Sequence, residues 1–156
     1  MIKAPKASTK KGIPTTELKV EVQFCAELQK LNRAITLYFD RMMNRADLTS
    51  GQFIILNLLE LNSQASPSQL SQMTGIELSA MTRALVLLQM YGAVKLAPNP
   101  KGRGKIAQLT AEGKKQLQLA RPIWVKAETI LEEKLNEIEL RDFVEKIERV
   151  NQALNE

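Results

Sequence analysis

The chain has 156 residues, enough for one domain with a proper core or for a small reading unit carried on a helical scaffold. Its formal net charge of +5, with a pI of about 9.4, favours a polyanionic partner. With no histidine and one cysteine it lacks Ser-His and Cys-His nucleophile pairs, the usual zinc-ligand sets and an internal disulfide, and no run approaches the ~18 apolar residues of a membrane span.

Residues 1–14 hold Lys, Pro and Gly with too little apolar material to fold alone, and they read as a disordered basic tail without the apolar stretch of a secretory signal. A long helix is expected from Thr15 or Thr16 to near Arg45, because Phe24, Leu28, Leu31, Ile35, Tyr38 and Met42 recur at steps of four and three. Thr49 and Gln52 have the spacing of a capping box that opens a second helix, Phe53 to about Leu61, apolar enough to be buried throughout. Ser66 and Gln69 repeat the box, with Pro67 where the first helical N–H is not needed, and this short helix stops at Gly75. Ser79 is expected to cap the next helix, which runs to Tyr91 and ends at Gly92; Met81, Ala84, Leu85 and Leu88 form its inward side, and Ser79, Thr82, Arg83 and Val86 another. Val94–Leu96 and Ile106–Leu109 read as short strands flanking a turn with two Pro, two Gly and three cations. Thr110 caps a helix through Trp124 to about Leu135, and a last helix, Leu140 to Leu154, carries Phe143, Ile147, Val150 and Leu154 at heptad-like steps.

Charge is distributed unevenly over these elements. Residues 1–16 carry four Lys and no acid, residues 48–115 seven Lys/Arg against three Glu, and residues 126–156 five Lys/Arg against nine Asp/Glu. The order helix, helix, helix, strand, basic turn, strand over 48–110 predicts a winged helix-turn-helix, a DNA reader. The fold class is mainly α with a small β-hairpin, and the N-terminal helix (15–47) and C-terminal helices (111–156) form a dimerisation domain. A turn between two short helices sets the second at a large angle, so its N-terminal end enters a major groove about 12 Å wide. Ser79 and Thr82 hydroxyls suit phosphate or base edges there, and Arg83 suits guanine or a phosphate. Ser66 and Ser68 stand where free N–H groups at a helix start favour a phosphate. Lys101, Arg103 and Lys105 extend along the backbone or into a minor groove.

The strings DLTSGQFIILNLLE, SQLSQMTGIELSAMTRALVLLQMYGAV and LAPNPKGRGKIAQLTAEGKK resemble the MarR family of multiple-antibiotic-resistance-type regulators, over about residues 20–154. The resemblance is most specific at Leu48, Thr49, Gln52 and Phe53, at Leu70, Thr74 and Gly75, at Thr82 and Arg83, and at Leu109, Thr110 and Gly113. It implies a homodimer with intertwined terminal helices and two reader lobes on a pseudo-palindromic operator. It also implies repression relieved by a small effector, often an anionic phenolic compound, or by oxidation. An effector site at the junction of the first, second and fifth helices would draw on Phe24, Phe53 and Trp124, the bulky residues there.

The chain departs from the family in the wing, which usually carries Asp-x-Arg; here Pro100-Lys101-Gly102-Arg103-Gly104 leaves Arg103 without an acid to brace it, in a shorter and more flexible turn. The second half of the recognition helix carries Val86, Leu87, Met90 and Tyr91 where the family tends to have charge. They serve either as ordinary core or as a surface for a partner or ligand. Cys25 stands where peroxide-sensing members keep their reactive cysteine, but the two supporting tyrosine positions hold Gln29 and Phe39. The thiol is therefore expected to react slowly, as a buried structural residue.

Catalysis has little support: no Gly-rich phosphate loop follows a strand, and Glu132, Glu133 and Glu137 read as a solvated face. No cofactor or metal is expected. The resulting expectation is a cytoplasmic, non-enzymatic regulator whose partners are double-stranded DNA and a second copy of itself. Two other readings stay open: a protein-interaction module on a winged-helix frame with weak DNA binding, and a redox-sensing regulator acting through Cys25.

Overall fold

Backbone groups at helix starts need partners, and in this chain the side chains that supply them fix where each element begins. A computed structural model describes residues 18–100, 102–135 and 137–154. The elements run α1 (Leu18–Met43), a 3-10 turn (Asn44–Ala46), α2 (Ser50–Asn62), α3 (Pro67–Thr74), α4 (Leu78–Met90), β1 (Val94–Pro98), β2 (Lys105–Leu109), α5 (Ala111–Leu135) and α6 (Glu137–Leu154). The expected basic tail, the start of the first helix and Lys101 lie outside the described residues.

The chain divides into two units within α1, between Leu37 and Tyr38. In the first, the described residues form the helix that carries Phe24, Leu28, Ile35 and Leu37, all exposed. Cys25 is exposed as well, which corrects the expectation of a buried cysteine. The Gln29 amide donates to its sulfur at 3.6 Å.

The second unit holds the core. Both capping boxes form: Thr49 Oγ1 accepts from Gln52 N and Ser66 Oγ from Gln69 N, each at 3.2 Å, while the two glutamine carbonyls accept from the cap N–H groups. Each such cap stabilises its helix by ~1 kcal/mol. Asp40 adds a tie that the sequence pattern does not signal, accepting from Ser50 N at 2.7 Å and Ser50 Oγ at 2.6 Å, so the end of α1 holds the start of α2. Met43, Leu56, Leu59, Leu70, Met81, Leu85, Leu88 and Leu117 are fully buried together. Each buried Leu contributes ~1.5–3 kcal/mol relative to exposure. α2 is not buried all round as expected: Ile54 and Leu61 face outward, Leu61 at 71% exposure. Only one stripe of a helix lying on a core can be covered.

The two wing strands are longer than expected. β1 and β2 pair antiparallel from Val94 opposite Leu109 to Pro98 opposite Lys105. Ala65, between α2 and α3, exchanges backbone hydrogen bonds with Ala107 at 3.1 and 2.8 Å, adding a one-residue bridge to the hairpin. A single extended residue has no periodicity, so nothing in the sequence announces it.

Candidate nucleic-acid interface

The turn between α3 and α4 is fixed by short-range chemistry. Gly75 takes φ +69°, the left-handed conformation that favours glycine, and its N–H donates to Ser71 O at 2.9 Å. Thr74 Oγ1 donates to Leu70 O at 2.7 Å and accepts from Ile76 N at 3.3 Å, while Ser71 Oγ reaches across the turn to Ile76 O at 2.6 Å. Leu70 is fully buried beneath it. These bonds give the Leu-x-x-x-Thr-Gly spacing a structural role: they aim α4.

Glu77, not Ser79, caps α4. The helix starts two residues earlier than expected, and the Glu77 carboxylate accepts from Ala80 N at 3.2 Å and from the Ser79 hydroxyl. Glutamate is not among the preferred cap residues, so the sequence pattern favours the serine. The Ser79 side-chain hydrogen bond, then the backbone bonds from Ser79 and Ala80, with a smaller part from the Arg83 charge, hold the Glu77 carboxyl below its usual range. A carboxyl lowered by folding stabilises the fold above its unfolded value and loses that effect as pH falls through the lowered one. The Ala80 amide is therefore expected to lose hydrogen-exchange protection in acid below the ordinary carboxylate range. Unchanged protection there, against neutral pH, would remove the carboxylate from the cap.

On the outer face of α4, Ser79, Thr82, Arg83 and Val86 are all exposed. Thr82 Oγ1 donates to Leu78 O at 2.8 Å, so both hydroxyls expected to reach DNA are engaged within the helix start. Arg83 is the one charged side chain along α4. Val86, Leu87, Met90 and Tyr91 are exposed, Met90 at 77%, so they are not core of this unit. Ser68 is exposed in the first turn of α3. Arg103 and Lys105 are exposed on the wing, whose tip closes through Asn99 N to Gly104 O at 2.9 Å.

Behind this face, the wing returns to α5 through a clasp. Thr110 N donates to Ala93 O at 3.1 Å, and Thr110 Oγ1 donates to Gly92 O at 2.6 Å and accepts from Gly113 N at 3.0 Å. The Leu-Thr-x-x-Gly spacing thus joins the end of the wing to the turn after α4.

Phe53 and Trp124 meet, but as a filled stack. The indole lies between Phe39, centroids 4.4 Å apart, and Phe53, 4.5 Å apart, and its N–H donates to Glu128 at 2.8 Å. Their ring faces are occupied by one another. Phe24, the other residue expected in this constellation, belongs to the first unit and is exposed. Among the described residues no group of three or more His, Cys, Asp or Glu is placed to hold a metal, and no helix is long and apolar enough to cross a membrane.

No family model matches the chain. The multiple antibiotic resistance protein MarR of Escherichia coli is 33% identical over 79 residues, 47% of this chain and 55% of that protein, so the chain spans about half the length of the curated relative it matches. The crystal structure of a cysteine-to-serine mutant of MarR from E. coli, complexed with operator DNA, superimposes with a TM-score of 0.77 at 20% identity, over 89% of this chain and 99% of that one. The transcriptional regulator MosR of M. tuberculosis in complex with DNA gives 0.72 at 24% identity, over 83% and 96%. In sequence and in fold the chain resembles MarR-family transcription regulators, and its fold is their winged helix.

Proposed function

We propose, from the premise of that shared fold, that the chain is a DNA-binding transcriptional regulator acting as a homodimer, most simply a repressor, on a pseudo-palindromic operator. The observation that carries this reading is the presentation of α4: a bonded turn aims it, a cap fixes its start, and its one cation stands on its exposed face. Ser68 at the start of α3 and Arg103 and Lys105 on the wing supply flanking phosphate contacts, with Lys101 of the same turn. The exposed apolar residues along α1 and α6 support a two-fold partner that brings two readers about one helical turn apart. An effector acts by favouring one spacing of the readers over another, at the helix junction around Phe53 and Trp124.

Fluorescence anisotropy against the chain's own upstream intergenic DNA and a scrambled duplex, at low and physiological salt, tests the reading. Tight, sequence-dependent binding that survives physiological salt supports it; equal, salt-erased binding to both duplexes removes it and favours a protein-interaction module using Val86, Leu87, Met90 and Tyr91. Arg83→Ala is expected to weaken operator binding about five- to a hundredfold, the range of a bidentate base contact. Arg103→Ala, lacking a bracing acid, is expected to weaken it by less than about threefold and to reduce the salt slope by about one. Wild-type affinity in the Arg83 variant would take α4 out of the interface.

The redox reading has the exposure of Cys25 in its favour, and the Gln29 amide donates to its sulfur.

A further inference from the structure

We propose that the outer face of α4 reads thymine C5-methyl groups in the major groove, through the γ-methyl of Thr82 and the isopropyl group of Val86, beside Arg83. The inference rests on the DNA-reading function above and specifies what that reader recognises. The Thr82 hydroxyl donates its proton to the Leu78 carbonyl one turn back, so this side chain has no donor left for a base edge, and its methyl stays free for apolar contact. The Ser79 hydroxyl is likewise committed to Glu77. Neither donates to a base edge without breaking a bond already made, so donor readout at this helix start rests on Arg83.

Thr82 and Val86 are separated by four residues and both are exposed, so their methyl groups lie one above the other along one side of α4. Together with Arg83, Leu87 and Met90 they line one shallow hollow on that face. Phosphate offers such a surface nothing. In the major groove, thymine is the base that presents a methyl, and apolar contact with it is an established mode of readout, while Arg83 beside it suits guanine O6 and N7. The preferred half-site therefore places thymines next to a guanine.

The test uses the full chain. A duplex is selected from a randomised pool, and each dT of one half-site is replaced in turn by dU, which deletes the methyl and preserves pairing. Wild-type protein is expected to lose about fourfold affinity at one or two positions, the scale of burying one methyl-sized group. At those positions Thr82→Ser, which removes the methyl and keeps the hydroxyl, or Val86→Ala should bind dT and dU duplexes equally. Both substitutions fall on exposed side chains, and an unchanged Tm verifies the fold. A sequence preference that tolerates dU at every position overturns methyl readout while leaving DNA reading intact. A dU penalty that persists in both variants overturns the assignment to these residues. Failure to enrich any duplex overturns the regulator reading and this inference with it.

Discussion

Replacing Ile147 and Val150 together with glutamate is expected to turn the proposed homodimer into a 17.5 kDa monomer by light scattering and to weaken the proposed operator binding at least about a hundredfold. The two side chains lie on the stripe Phe143, Ile147, Val150 and Leu154, whose steps of four and three keep them on one face of α6. All four are exposed in the single chain. A row of this kind on an acidic helix is poorly suited to polyanionic DNA and well suited to an identical apolar row. Charge at two central positions leaves buried, unpaired carboxylates in any such interface. Helical content by circular dichroism separates loss of assembly from loss of folding. A dimer that persists would place the two-fold contact elsewhere, and a monomer with full affinity would show that one lobe suffices.

Gly113→Ala is expected to destabilise the protein by about 3 kcal/mol, lowering Tm by roughly 6–12 °C. Gly113 lies inside the first turns of α5, where alanine is ordinarily the better residue by ~1 kcal/mol. Here a Cβ would sit 2.0 Å from the Ala93 carbonyl oxygen and 2.9 Å from its carbon, and the obstruction is backbone rather than a side chain that can turn away. That same carbonyl accepts the Thr110 N–H, so yielding to the methyl opens the clasp between wing and α5. Gly51→Ala in α2 is the matched control: a Cβ there meets nothing within 4 Å, and the substitution is expected to stabilise by about 0.5 kcal/mol. Thermal melts that moved in the same direction for both variants would remove the close approach as the reason for glycine at 113.

The elements were legible in the sequence wherever local chemistry decides them. Thr49 with Gln52 and Ser66 with Gln69 mark helix starts because the bonds that make those starts lie within three residues. Gly75 and Gly92 mark ends because both adopt positive φ. What escaped depends on residues distant in sequence or on competition between near neighbours. Asp40 reaches Ser50 only once α1 and α2 are packed, and Ala65 pairs with Ala107 more than forty residues away along the chain. Glu77 displaces Ser79 as the cap because its longer side chain can accept from Ala80 and from the serine at once. Of the site, the location of Arg83 and the wing cations Arg103 and Lys105 on exposed surface followed from pattern. The commitment of the Thr82 hydroxyl to the helix did not, since threonine at that spacing can equally turn outward.

The stack around Trp124 has a spectroscopic consequence. The chain has one tryptophan, so all of its indole emission comes from a single place, between Phe39 of α1 and Phe53 of α2. The indole N–H is bonded to Glu128 on the same helix, which fixes the ring's polar edge. Unfolding exposes the ring to water and shifts its emission to longer wavelength. A molecule that separates either phenyl ring from it changes intensity and lifetime without unfolding anything. The protein thus comes with an unlabelled optical reporter at the meeting point of three helices, and screening compounds against that signal distinguishes those that enter this junction from those that act on the exposed face of α4 proposed to read DNA.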